Sequence, residues 1–139
     1  NCKKRYDGLK EEVFSGLNKI EGIKGIAVIP MKMIESWLMG DADSFNKAFG
    51  SAREKVQFPK KPELSWGAKA DINSNYPKNQ LTRILCAYGQ KANQDTFCQL
   101  AENADLEALQ KTCPLSFADF YRQMMKALEI ATQASGENK

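Results

Sequence analysis

A chain of 139 residues, 42% apolar and 27% charged, is long enough for one domain with its own core and short for two. No apolar run approaches bilayer length and no signal-peptide pattern opens the chain, which points to a cytoplasmic protein without a membrane partner. With no histidine, the usual general base and the Ser/His/Asp and Cys/His arrangements are excluded, so catalysis would fall to carboxylates, lysine, a metal or another chain.

The four cysteines, Cys2, Cys86, Cys98 and Cys113, form no CxxC pair. A zinc site would need all four thiolates at irregular spacing, and reduced thiols are the simpler reading. The net charge of +3 is unevenly spread. Between Gly50 and Lys78 six bases (Arg53, Lys55, Lys60, Lys61, Lys69, Lys78) face three acids (Glu54, Glu63, Asp71), so this segment carries the whole excess.

In chain order, Tyr6, Leu9, Val13, Leu17 and Ile20 predict an amphipathic helix from about Lys3 to Lys19, ended by Glu21-Gly22. Gly25–Ile29 is a short apolar run without alternation, which reads as a strand buried on both faces of a parallel sheet. Pro30 would end its ladder and begin a helix whose apolar face is Met31, Ile34, Trp37 and Leu38. Glu35 falls just inside the edge of that arc, where a carboxylate needs a partner, a metal or a route to water.

Gly40 is a plausible C-cap, and Asp41 or Asp43 can cap a short helix carrying Phe45, Ala48 and Phe49. From Ser51 to Tyr76 the periodicity fades under Pro59, Pro62, Gly67 and Asn73–Asn75. Bases here alternate with Phe58, Trp66 and Tyr76. Such a segment is either a solvated loop pinned by its aromatics or a nucleic-acid surface, with Lys60, Lys61, Lys69 and Lys78 for phosphates and Trp66 for bases.

Pro77 starts a helix with Leu81, Ile84, Leu85 and Tyr88 on one face. Lys78, in its first turn, opposes the helix dipole; it either snorkels to water or makes an anion site. Asn93 and Asp105 cap two further helices. Ser116 starts the last one, with Asp119 three residues on and Leu115 and Phe120 placed as a hydrophobic staple. Residues 1–132 read as one domain and 133–139 as a frayed polar tail. Because the chain opens at Asn1 without an initiator methionine and shows a single strand, about residues 25–30, the expectation is a mostly helical α/β domain fragment. Its sheet would be completed by a missing N-terminal segment or by another chain, as in a homo-oligomer.

The ordered series IPMKMIESWLMGD, FPKKPE, YPKNQL and LQKTCPLSFADF resembles the later part of a Toprim-like family of uncharacterised bacterial proteins. The resemblance runs from about Lys3 to Leu128. It implies an α/β fold similar to nucleases of the overcoming-lysogenisation-defect type, which use Mg2+ or Mn2+ and are often paired with an ABC-type ATPase in phage defence. It implies Glu35 and Asp41 as metal ligands, and Glu35 and Lys78 as catalytic residues, with Lys78 placed to stabilise phosphate charge. The family's main carboxylates lie on earlier strands, which this sequence does not contain, so the implied site is partial. A non-catalytic helical module that binds nucleic acid or a protein partner through residues 50–78 is the alternative, and a plain Glu35–Lys78 ion pair in a packing unit is a third.

Overall fold

Local signals at the helix starts carry through to the tertiary structure. The computed structural model describes residues 2–136. Among them the chain forms α1 (Cys2–Leu17), α2 (Ile34–Leu38), α3 (Ala42–Phe49), a 3-10 turn (Pro62–Leu64), α4 (Pro77–Ala87), α5 (Gln94–Asn103), α6 (Leu106–Thr112) and α7 (Phe117–Gly136). Asp41 Oδ1 accepts from the Asp43 N–H at 3.0 Å to open α3, and Asn93 Oδ1 accepts from the Thr96 N–H at 2.9 Å to open α5. Asp105 Oδ1 takes two N–H groups, from Glu107 at 2.8 Å and Ala108 at 3.2 Å, at the start of α6. Each such cap satisfies donors that a helix leaves orphaned. Of the tail expected from 133, residues 133–136 continue α7 and 137–139 lie outside the described residues.

The expected α/β fold, with a buried strand at about 25–30, is overturned: among the described residues there is no strand and the architecture is all-helical. The run from Gly25 to Ile29 forms neither helix nor strand, and among the described residues no strand lies beside it. Its Ala27 N–H points at a side chain, Gln123 Oε1 on α7, at 3.4 Å. An apolar run becomes a strand only when a neighbour takes its backbone groups. Nor is the run buried on both faces: Ala27 is buried, whereas Val28 is 57% exposed.

The next helix also starts later than its apolar spacing predicts. The Met31 N–H is held by Ser116 Oγ at 2.9 Å, and Lys32 adopts φ 70°, a left-handed conformation that ends any helix begun at Pro30. The helix therefore begins at Ile34, which is itself 46% exposed.

Two apolar clusters form the core, and α2 belongs to both. Met39 packs with Phe45 of α3, Leu81, Ile84 and Leu85 of α4, Tyr88, and Leu100 of α5. Two residues earlier, Trp37 packs with Leu109, Cys113 and Phe117, stacking on Phe120 at 5.6 Å and meeting Phe117 edge-on at 5.2 Å. Gly40 makes the close approach possible. A Cβ there would lie 2.8 Å from a Leu109 methyl and 2.9 Å from Cys113 Sγ.

The start of α7 is held by a residue far away in sequence. Glu63, in the 3-10 turn and 1% exposed, accepts from the Leu115 N–H (2.7 Å), the Ser116 N–H (2.7 Å) and the Phe117 N–H (3.2 Å). It also accepts from the Ser116 hydroxyl, and Ser116 Oγ in turn accepts from the Met31 N–H and from Trp37 Nε1, both at 2.9 Å. A buried carboxylate over three free N–H groups of a helix start is a charge-assisted, dipole-favoured arrangement. The local cap expected of Ser116 and Asp119 is thus replaced by a tertiary one, and Asp119 turns to α1 instead. Asp119 Oδ2 accepts from the Tyr6 hydroxyl at 2.8 Å and Lys10 Nζ at 2.6 Å, and Oδ1 pairs with Arg122 Nη1 at 3.1 Å.

Candidate nucleic-acid interface

The long segment after α3 is ordered by short bonds rather than by periodicity. The Arg53 N–H bonds the Ala87 carbonyl at 2.7 Å, and Phe58 enters the core edge-on to Phe45 at 5.0 Å. Pro62 and Glu63 are buried. Beyond them, Asn79 Nδ2 of α4 donates to the Lys69 carbonyl (3.0 Å) and the Asp71 carbonyl (2.8 Å). Arg83 Nη1 donates to the Ser74 carbonyl at 2.9 Å and to that of Ile72. These bonds fasten residues 68–75 onto α4 and commit the Arg83 guanidinium to the protein backbone.

Of the three loop aromatics, Phe58 serves the core and Trp66 does not. Trp66 is 56% exposed, with Tyr76 braced edge-on against it at 5.3 Å. Gly67 lets the two limbs of the loop meet beneath it: a Cβ there would fall 2.8 Å from the Asn75 nitrogen. The ammonium of Lys32 lies 4.6 Å from the Trp66 ring centroid, a cation–π contact. The backbone turn that delivers it is the left-handed Lys32 itself, the one non-glycine residue with positive φ among the described residues. Such a conformation costs about 1–3 kcal/mol and persists only where the surroundings impose it.

Behind Trp66 opens a cleft of about 270 Å³, lined by Arg5, Tyr6, Leu9, Ile29, Pro30, Met31, Lys32 and Trp66. Four of the lining side chains are aliphatic or sulfur-containing apolar groups, two are cations and none is an acid. The cleft's α1 wall is held by the Tyr6–Asp119 bond. Burial, the bond to Asp119 and that carboxylate's charge all push the Tyr6 phenol well above its usual range, so it stays a neutral donor. Arg5 makes no ion pair among the described residues.

Lys60, Lys61 and Lys69 are exposed and likewise make no ion pair among the described residues. Lys78 is also exposed, in the first turn of α4, and reaches Glu35 with Nζ–Oε1 at 3.9 Å. The fold thus gathers Trp66, Tyr76, Lys69 and Lys78 at the start of α4, through the Trp66–Tyr76 contact and the Asn79 bond to Lys69. Glu35 and Lys78 meet, but Asp41 has other duties. Its Oδ1 caps α3 and its Oδ2 accepts the Asp105 N–H at 2.8 Å, tying the start of α3 to that of α6. Among the described residues no three Asp, Glu or Cys side chains converge in a way that could hold a metal ion.

Sequence reasoning missed Arg5, Lys32 and Glu63. Arg5 and Lys32 had no local signature, because their meaning comes from Trp66, which follows Lys32 by more than thirty residues. Glu63 stands in an irregular stretch where no helical or strand period could mark it as inward. No protein-family model, no curated protein and no solved structure matches this chain. Among the described residues, no helix is long and apolar enough to cross a membrane.

Proposed function

We propose that this protein is a non-catalytic helical module that binds nucleic acid through the 50–78 segment. The lysines would neutralise phosphates and Trp66 would offer its face to a base. The observation that carries the reading is the exposed Trp66, braced by Tyr76 and accompanied by a cation at 4.6 Å. A ring left outside the core beside cations is the minimal stacking platform for a single strand. A cytoplasmic setting goes with this reading, and the free thiols of Cys86, Cys98 and Cys113 suit a reducing compartment.

Tryptophan fluorescence offers a direct test. Trp37 is buried with its indole N–H bonded, so quenching on titration with an oligonucleotide reports Trp66. Measured by anisotropy of a labelled oligonucleotide, Trp66→Ala should weaken binding about tenfold. Replacing Lys60 and Lys61 by Gln should reduce the slope of log affinity against log salt by roughly 1.5 units. A slope unchanged by that double substitution would leave the segment an ordinary solvated connection.

A second reading, a share in a metal-dependent phosphodiester-cleaving site, is favoured by the approach of Glu35 and Lys78. A carboxylate of that kind would hold Mg2+ or Mn2+ and the lysine would face developing phosphate charge. This reading brings the ATPase partner with it and needs further carboxylates beside Glu35. Magnesium-dependent cleavage lost in Glu35→Gln, with the fold retained, would establish it over the binding module.

A further inference from the structure

The cleft behind Trp66 has a shape and chemistry that the loop lysines do not share. Leu9, Ile29, Pro30 and Met31 contribute apolar surface to its lining, Trp66 an aromatic ring, and Arg5 and Lys32 two cations. A bare phosphate would leave the apolar lining unused, and a cation would meet two like charges. At about 270 Å³ the space is at the low end for organic ligands and too small for a dinucleotide cofactor. What matches all three surfaces is one flat ring carrying an anionic group.

We infer that this cleft receives a single unstacked nucleotide, its base against Trp66 and its phosphate facing Arg5 and Lys32. The inference rests on the nucleic-acid reading above and adds the form of the ligand: single strands or frayed ends, not continuous duplex. A base paired and stacked inside a duplex has both faces covered by its neighbours, whereas an unstacked base exposes its whole face to Trp66. In the free protein the Lys32 ammonium covers the indole. An incoming base displaces it and supplies, through its own phosphate, the ion-pair partner that Lys32 and Arg5 lack among the described residues. The Lys32 backbone is left-handed, at φ 70°, and its ammonium lies over the Trp66 ring that the base would take.

The test compares a short oligothymidylate with a blunt-ended DNA hairpin of equal phosphate number, by Trp66 fluorescence on the whole chain at low salt. The expected result is about tenfold tighter binding of the single strand. Lys32→Asn, which keeps a residue tolerant of positive φ but removes the charge, and Arg5→Gln should each erase most of that preference. Circular dichroism should show both variants folded. Should either unfold, thymidine 5′-monophosphate titrated into the unmodified protein must still quench Trp66 and shield it from acrylamide, and no such response would overturn the inference. Equal affinity for strand and hairpin, unmoved by Lys32→Asn and Arg5→Gln but weakened by loss of Lys60 and Lys61, overturns the cleft and leaves the lysine surface standing. No binding of either DNA overturns both.

Discussion

Glu35 and Glu63 are both buried carboxylates on short helical turns, and the molecule uses them in opposite ways. Glu63 accepts from three backbone N–H groups and one hydroxyl, so its desolvation is offset by hydrogen bonds within the fold. Glu35 has one cation at 3.9 Å, and that cation's side chain is 58% exposed. Burial alone therefore does not separate a structural acid from an available one. What separates them is how many of the oxygen lone pairs the protein has already filled.

Removing Glu63 should have the largest effect on the fold. Glu63→Ala leaves three N–H groups and the Ser116 hydroxyl without their acceptor and loosens the Met31 and Trp37 bonds to Ser116. Denaturant unfolding should report a loss of about 3–4 kcal/mol, since an interior left with unpaired donors is strongly destabilised. A loss under about 1 kcal/mol would mean that water replaces the carboxylate and that Glu63 is no anchor.

Asp119 provides the intermediate case. Burial by itself would raise its pKa, but the hydrogen bonds from Lys10 and Tyr6 and the nearby Lys10 and Arg122 charges outweigh it and hold the carboxyl below its usual value. A group lowered in the folded state contributes stability above its unfolded value, near 3.9, and loses it as pH falls through the folded one. Asp119→Asn should therefore cost about 1–2 kcal/mol near neutrality and flatten the acid limb of the stability curve. An acid limb identical to that of the unmodified protein would refute the α1–α7 latch.

On the alkaline side, burial and the nearby Glu63 charge push the Cys113 thiol up to about 12 against a small opposing effect of Thr112. Its contribution is complete below about 9 and is lost as pH rises from there to about 12, with the raised Tyr6 phenol acting in the same direction. Near neutral pH, Cys86 and Cys98, both exposed, should label with thiol reagents while Cys113 stays protected, as peptide mass mapping would show. Rapid labelling of Cys113 would place it outside the α2–α7 core.

The smallest stability effect belongs to Glu35. Because its partner is long, exposed and 3.9 Å away, Glu35→Gln and Lys78→Gln should each change stability by less than about 1 kcal/mol. A larger loss would move Glu35 into the same class as Glu63 and favour the plain packing role over any site.

Features that a few neighbouring residues decide were legible along the chain. Asn93, Asp105 and Asp41 cap helices with their own side chains and the next two or three N–H groups, and Pro77 opens α4 through its fixed φ. The stripe Leu81, Ile84, Leu85 and Tyr88 is buried as its spacing predicts. Tertiary structure alone decided the rest. Gly25–Ile29 has the composition of a strand, yet strand formation needs a neighbour's backbone, which no local pattern encodes. Leu9 and Val13 continue the stripe of α1 but remain 41% and 38% exposed, because periodicity says which side is apolar and not what lies against it. Glu63 reaches the start of α7 across more than fifty residues, and Lys32 reaches Trp66 across more than thirty. Both contacts are chosen by where two helices and a loop come to rest, after the conformational entropy of the intervening chain has been overcome.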